Sequence, residues 1–394
     1  MSIKKHHQTG YTDSSSSRRP NILMIVADQL RADCTGYCGA GLVRTPNIDR
    51  IAQRGRTFAN AFTAVPTCCP ARQSLLTGRR PEALGALWNW DIALPVGSID
   101  PSVFTWTAAL GGAGYRSAYL GKWHVSEHHD PTAFGFEHYV GLGEYRPSEE
   151  STHPLDTQTF DWHGGTDPQN LDDSRTHWLA NHARDFLDSA AGGDAPFLLR
   201  VDFSEPHLPC APVAAFAERH DPAAIPPWPS FSDEFRDKPY MQLQQLYNWG
   251  VESYTWADWA PVVARYFAVI EQMDDAIGRI LDALEARGAL EETIIIFTSD
   301  HGDMCGAHRM VDKHYIMYDD VVRVPLAVCG PGIEPSNEPV TEFVTHTLDL
   351  GPTILELTGV AVREGIRAAF HGRSLRPLLA GGTPTGWPQC VVSS

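Results

Sequence analysis

The segment Cys68-Cys69-Pro70-Ala71-Arg72-Gln73-Ser74-Leu75-Leu76-Thr77-Gly78 gathers reactive groups at the start of an expected helix. Pro70 suits a first helical turn, where its missing N–H is no loss, and Gly78 suits a helix end. Arg72 follows Cys68 by four residues, so one helical face can carry both. A helix N-terminus favours negative charge and an arginine adds to that. The segment therefore reads as an anion site with a potential nucleophile, Cys68, at its centre. A buried Cys-Cys-Pro turn that only packs is the plainer reading of the same spacing.

Further candidates follow short apolar runs. Asn21 to Ala27 reads as a buried strand and is followed by Asp28-Gln29; Thr293 to Phe297 reads as another and leads into Thr298-Ser299-Asp300-His301-Gly302-Asp303. Ligands of open α/β sheets gather beyond the carboxyl ends of strands. If these two strands are parallel neighbours, Asp28 and Asp300 face each other there. Buried carboxylates repel unless a cation sits between them. Oxygen donors suit calcium or magnesium, and a histidine nitrogen admits manganese. Gly121-Lys122-Trp123-His124 follows a strand ending at Leu120. In extended chain its lysine and histidine point to the same side. Lysine can hold an anionic oxygen as a point charge, and histidine can move a proton near neutral pH. Glu205-Pro206-His207-Leu208-Pro209 follows a strand ending at Phe203, and Lys313 closes His308-Arg309-Met310-Val311-Asp312-Lys313.

The elements that must position these residues alternate. Helices are expected from Pro46 to Arg54, Phe104 to Leu110, Ser174 to Ser189, Pro261 to Arg287 and Leu348 to Leu357. Strands are expected from Tyr115 to Leu120, Pro196 to Phe203 and Val324 to Val328, besides the two above. The fold class is therefore α/β, a mostly parallel central sheet flanked by helices. Two regions break the rhythm, His128 to Asn170 and Pro206 to Asp258, both rich in Pro, Gly, Trp, His and Asp. They read as irregular segments, either functional insertions or disordered.

A chain of 394 residues with 43% hydrophobic and 20% charged residues is ordinary for a globular protein, and its net charge of −17 excludes a general nucleic-acid binder. Attraction for an anion must then be local. The eight cysteines form no paired metal knuckles. Residues 1–20 are polar and read as a flexible tail without the apolar stretch of a signal peptide, and the run Ile22 to Ala27 is too short to span a bilayer. A cytoplasmic location without membrane partners is the expectation.

In this order the motifs resemble the type I, formylglycine-dependent sulfatases of the alkaline phosphatase-like superfamily. The likeness rests on Cys68-x-Pro70-x-Arg72 with Leu76-Thr77-Gly78, on Gly121-Lys122-Trp123-His124, on His207-x-Pro209, and on Thr45-Pro46-Asn47-Ile48-Asp49-Arg50; it runs from Asn21 to Leu379. It implies oxidation of Cys68, not Cys69, to formylglycine by the formylglycine-generating enzyme. It implies one divalent metal held by Asp28, Gln29, Asp300, His301 and residue 68, calcium foremost, with magnesium or manganese as alternatives. Arg72, Lys122 and Lys313 would stabilise charge, His124 would act as base, and His207 and Lys313 would assist the leaving group. Sulfate would leave through a covalent sulfo-enzyme intermediate, the substrate being a small sulfate ester or a sulfated sugar.

Departures from the pattern matter. Ala71 stands where many members have serine, and Gln29 and His301 also occur in related phosphonate and phosphodiester hydrolases. A phosphonate monoester or phosphodiester hydrolase is therefore the alternative, against which Gly-Lys-Trp-His speaks. The family usually continues past His371 to Leu379 into a small antiparallel sheet. Residues 21–380 thus read as the catalytic domain and 381–394 as the first strand of a largely missing subdomain. That raises a second alternative, a truncated binding-only member. A cysteine hydrolase using unmodified Cys68 leaves Asp28 and Asp300 without a role. Trp162, Trp228, Trp249, Trp256 and Trp259 in the insertions could stack on a sugar or only pack.

Overall fold

β1 (Asn21–Asp28) is buried at every position. Its side chains alternate between two cores. Leu23, Ile25 and Ala27 join helices Pro46–Gln53, Arg175–Ala190 and Trp256–Ala286. Ile22, Met24 and Val26 join helices Cys68–Thr77, Trp106–Gly112 and His346–Leu357. A continuous apolar run is what a strand between two helical layers requires. The computed structural model describes residues 18–39, 41–90, 98–146, 161–190, 193–313 and 316–393.

The remaining strands are β2 (Gly55–Thr57), β3 (Ala61–Phe62), β4 (Arg116–Gly121), β5 (His138–Gly141), β6 (Phe197–Pro206), β7 (Thr293–Ser299), β8 (Leu326–Cys329) and β9 (Val344–Thr345). One seven-stranded sheet has the order β2-β8-β7-β1-β6-β4-β5, and β3 pairs with β9 separately. From β7 through β5 all pairs are parallel. β8 runs antiparallel to both neighbours. The fold is thus the mostly parallel, helix-flanked α/β sheet expected.

Several boundaries differ, each for a local reason. The long helix begins at Trp256, not Pro261, because Thr255 and Asp258 form a capping box upstream. The segment Pro206–Asp258 is not wholly irregular. It contains helix Tyr240–Trp249, in which only Gln245 and Leu246 are buried, so no apolar stripe announces it. β5 lies inside the other irregular region as a four-residue edge strand. β8 starts at Leu326 because Pro325 has no N–H for the ladder. Residues 381–393 contain no strand. They lie against the α/β domain, with the Trp387 indole donating to Phe343 O at 2.9 Å and Ser393 Oγ to Thr63 O at 3.1 Å. Most of the expected flexible tail, residues 1–17, lies outside the described residues. Among the described residues no helix is long and apolar enough to cross a membrane.

Candidate active site

The register of β1 on β7 sets Ala27 against Ser299, which brings Asp28 and Asp300 together at the carboxyl edge of the sheet. Gln29 turns the chain there in the left-handed region (φ 71°), and its N–H donates to Asp300 Oδ1 at 3.1 Å. The helix Cys68–Thr77 enters this edge from the second core. All ten of its residues are buried, and it ends on Gly78 at φ 67°, where a side chain would strike Phe370.

Cys68 is 1% exposed. Its Sγ lies 3.2 Å from His301 Nε2, 3.7 Å from Asp28 Oδ1 and 3.9 Å from Lys122 Nζ. One turn on, Arg72 divides its guanidinium among three buried carboxylates. Nε reaches Asp300 Oδ2 at 2.8 Å, Nη2 reaches Asp28 Oδ2 at 3.0 Å, and Nη1 reaches Asp202 Oδ2 at 2.8 Å. Lys122 pairs with Asp28 as well. The four-residue spacing does place thiol and guanidinium on one face.

Charge in this buried space is balanced locally. Burial opposes ionisation of Cys68, yet Lys122, Lys313 and His301 hold its thiol well below the ordinary range. Burial and Cys68 push Asp28 upward, but Lys122, Arg72 and His207 hold its carboxyl below the usual range. Asp300 is raised by burial and by Asp28 beside it. Burial disfavours protonated His301, but Asp300 and Cys68 push it up to about 9. The ring Nδ1–H of His301 donates to Gly302 O at 2.9 Å, since a carbonyl can only accept. That leaves Nε2 directed at residue 68.

Lys313 is buried, with Nζ 2.5 Å from Gln29 Oε1, 3.0 Å from His207 Nε2 and 3.2 Å from Asp312 Oδ1. Burial opposes its charge, but Asp312 and Cys68 keep it protonated. His207 Nδ1–H donates to Leu208 O at 2.6 Å, so Nε2 is the acceptor for Lys313. His124 also helps to hold the Cys68 thiol low and meets Trp90 edge-on at 5.3 Å. It does so differently from the extended-chain expectation. β4 ends at Gly121 and His124 has φ 47°, so a turn aims the ring, not strand alternation.

Asp28, Cys68, Asp300 and His301 each offer one ligand atom, all within 4.8 Å of one another and all buried. Two neighbouring buried carboxylates with an imidazole nitrogen fit a divalent cation. Gln29 stands beside this group, its amide engaged with Asp303, Asp312 and Lys313. His308 lies against the second insertion, stacked on Tyr318 at 3.9 Å and bonded to Asp233; His314 is outside the described residues. Cys69 donates its N–H to Asn89 Oδ1 at 2.9 Å. Sequence reasoning missed Asp202, Arg200 and Tyr119. The signal was present, because Arg200 and Asp202 interrupt the otherwise apolar start of β6.

A buried thiol, three cations and a carboxylate–histidine group thus meet beyond the carboxyl edge of a parallel sheet. The chain belongs to the sulfatase family, hydrolases acting on sulfuric ester bonds: the family model described as Sulfatase matches residues 20–360. It is 30% identical over 361 residues to the uncharacterized sulfatase YidJ of Escherichia coli (strain K12), covering 87% of this chain and 68% of that one. It is 29% identical over 378 residues to the Ulvan-active sulfatase of Formosa agariphila, covering 95% and 68%. Its fold is similar to a solved 2-O GAG sulfatase, with TM-score 0.73 and 24% identity, covering 95% and 77%. It is also similar to the phosphonate monoester hydrolase of Agrobacterium radiobacter, with TM-score 0.74 and 25% identity, covering 94% and 79%.

Proposed function

We propose that this sulfatase is metal-dependent and works through formylglycine made from Cys68 by the formylglycine-generating enzyme. The observation that carries this is the position of Cys68: 3.2 Å from His301 Nε2, one of four candidate ligands, and 3.9 Å from Lys122 Nζ. Asp28, Asp300, His301 and residue 68 would hold one divalent ion, calcium before magnesium or manganese, with Gln29 at its border. When bound, the ion supplies electrostatic stabilisation of charge on the sulfuryl oxygens.

The side chains then divide the work. Arg72 holds the Asp28 and Asp300 carboxylates in fixed relation, and Lys122 presents its charge to the anion. One hydroxyl of the hydrated aldehyde at residue 68 gives its proton to the Asp300 carboxylate and attacks sulfur, and the S–O bond to the alcohol breaks. Lys313 donates the proton to the leaving oxygen, with His207 Nε2 fixing the ammonium at 3.0 Å. His124 takes the proton of the second hydroxyl, the carbon–oxygen bond to sulfate breaks, and the aldehyde re-forms. Water adds to that aldehyde, and none has to attack the covalent sulfo-enzyme. The substrate class is a small sulfate ester or a sulfated sugar. The likeness to the Ulvan-active sulfatase supports the sugar.

Mass analysis of the peptide carrying residue 68, after expression with the maturation enzyme, tests the first step; an unaltered thiol in active protein sinks it. A phosphonate monoester or phosphodiester remains the second reading, favoured by Gln29, His301 and the phosphonate hydrolase likeness. Parallel kinetics on aryl sulfate and aryl phosphonate esters separate the two, and sulfate is expected to give the higher kcat/KM.

A further inference from the structure

Asp202 lies fully buried on β6, beside the catalytic wall. It is nonetheless the point where two buried arginines meet. Arg200 grips it bidentately, Nε to Oδ1 and Nη2 to Oδ2, each at 2.8 Å. Arg72 Nη1 reaches Oδ2 from the other side at 2.8 Å, and the Tyr119 hydroxyl lies 2.7 Å from the same oxygen. The backbone joins in as well. Lys122 N–H donates to Asp202 O at 2.9 Å, while Lys122 O lies 3.1 Å from Arg72 Nη1 and 2.6 Å from the Tyr119 hydroxyl.

The close approach is built into the fold. Gly121 pairs with Asp202 between β4 and β6. A side chain on Gly121 would come within 2.0 Å of Asp202 O, and its φ of 102° is one that L-residues avoid.

Burying an aspartate between two arginines costs solvation that an apolar trio would not. The arrangement does something that apolar packing cannot. With Nη1 tied to Asp202 and Lys122 O, the guanidinium plane of Arg72 cannot swing, so Nε and Nη2 stay aimed at Asp300 and Asp28. Through its own carbonyl Asp202 also pins the backbone from which Lys122 reaches Cys68.

We propose that Asp202 is a positioning residue of the sulfatase reaction, orienting Arg72 through its carboxylate and Lys122 through its carbonyl. Arg200 then serves as the fixed partner that holds both oxygens of the Asp202 carboxylate in place. The proposal rests on Arg72 and Lys122 acting in ester hydrolysis. It predicts a kcat defect that outlives repair of stability.

Asp202→Asn keeps shape and removes charge. It is expected to lower kcat on an aryl sulfate about 100-fold, with KM within about threefold, because misplaced groups lose transition-state contacts first. It also leaves two buried arginines facing each other, so the melting temperature should fall. In Asp202→Asn/Arg200→Met the excess charge is gone, so stability should return toward wild type while kcat stays low. Recovery of kcat together with stability in the double variant would overturn the proposal, as would an Asp202→Asn enzyme within threefold of wild type. A mature wild type that turns over no sulfate ester would sink the activity reading, and this inference with it.

Discussion

The two ends of the central sheet each bury a cysteine, and the two thiols respond in opposite directions. Cys68 at the carboxyl edge and Cys329 on β8 near the amino end of β7 are 1% and 2% exposed. Burial pushes the Cys329 thiol up to about 12, and Arg54 pulls against this while Glu291 cancels part of the pull. At Cys68 burial pushes the same way, but Lys122, Lys313 and His301 outweigh it. Burial therefore sets a common penalty, and the local density of cations decides whether a buried group stays neutral or ionises. Cations gather at the carboxyl edge because β1, β4, β6 and β7 all end there and each is followed by a polar loop. At the amino end Arg54 meets Glu291 in an exposed pair instead.

Paired substitutions test this contrast. The largest difference is expected between Cys68→Ala and Cys329→Ala. The first should lower turnover by about 10⁴-fold or more, as loss of a nucleophile does. The second should leave kcat within about twofold, at a stability cost of about 1–2 kcal/mol for the small cavity. Equal activity losses would erase the distinction between the two ends.

Next come the arginines. Arg72→Met leaves Asp28, Asp300 and Asp202 short of a buried partner and should cost about 3–5 kcal/mol in urea unfolding. Arg54→Met removes a pair whose side chains are 41% and 80% exposed and should cost about 0–1 kcal/mol. A smaller loss for Arg72 than for Arg54 would mean that the buried network is already compensated.

A third test uses a group at the carboxyl edge that stays neutral. His346 is fully buried, its Nδ1 3.1 Å from Phe62 O, and burial lowers it from 6.5 to about 4. The unfolded histidine takes up a proton near 6.5 and the folded one only near 4. The stability involved is therefore complete above pH 6.5 and lost as pH falls toward 4, up to about 3 kcal/mol. Unfolding curves at pH 7, 6, 5 and 4 should show this slope, and His346→Gln should flatten it. The smallest effect is a control remote from both cysteines. Thr255→Ala removes a capping-box hydroxyl and should cost about 1 kcal/mol with turnover unchanged.

Much of the site was legible because its residues come in short motifs beside apolar runs. Asp28, Asp300, Lys122 and His207 are each readable as the residue just past a strand, and Cys68 and Arg72 as one helical turn. Helix Tyr240–Trp249 and β5 were not legible, since an element that buries two residues or lies at an edge carries little periodicity. Asp202 was missed for a different reason. Arg200 and Asp202 mark a charged pair inside a buried strand, but their role has no meaning until the side chains across from them are known.

The amino-acid sequence by itself determined the layered α/β class, the order of the reactive motifs and the family. Strand runs, helix caps and local spacing are short-range properties, and they survive in one dimension. Only the tertiary structure decided which charges touch. It made Arg72 the shared partner of Asp28, Asp300 and Asp202, put Gln29 on Lys313 beside the candidate metal ligands, and drew several cations around one buried thiol while giving another only Arg54, partly offset by Glu291. The physical reason is that desolvation and Coulomb energy depend on distances across the sheet, which the register of β1 between β6 and β7 sets and no single segment contains.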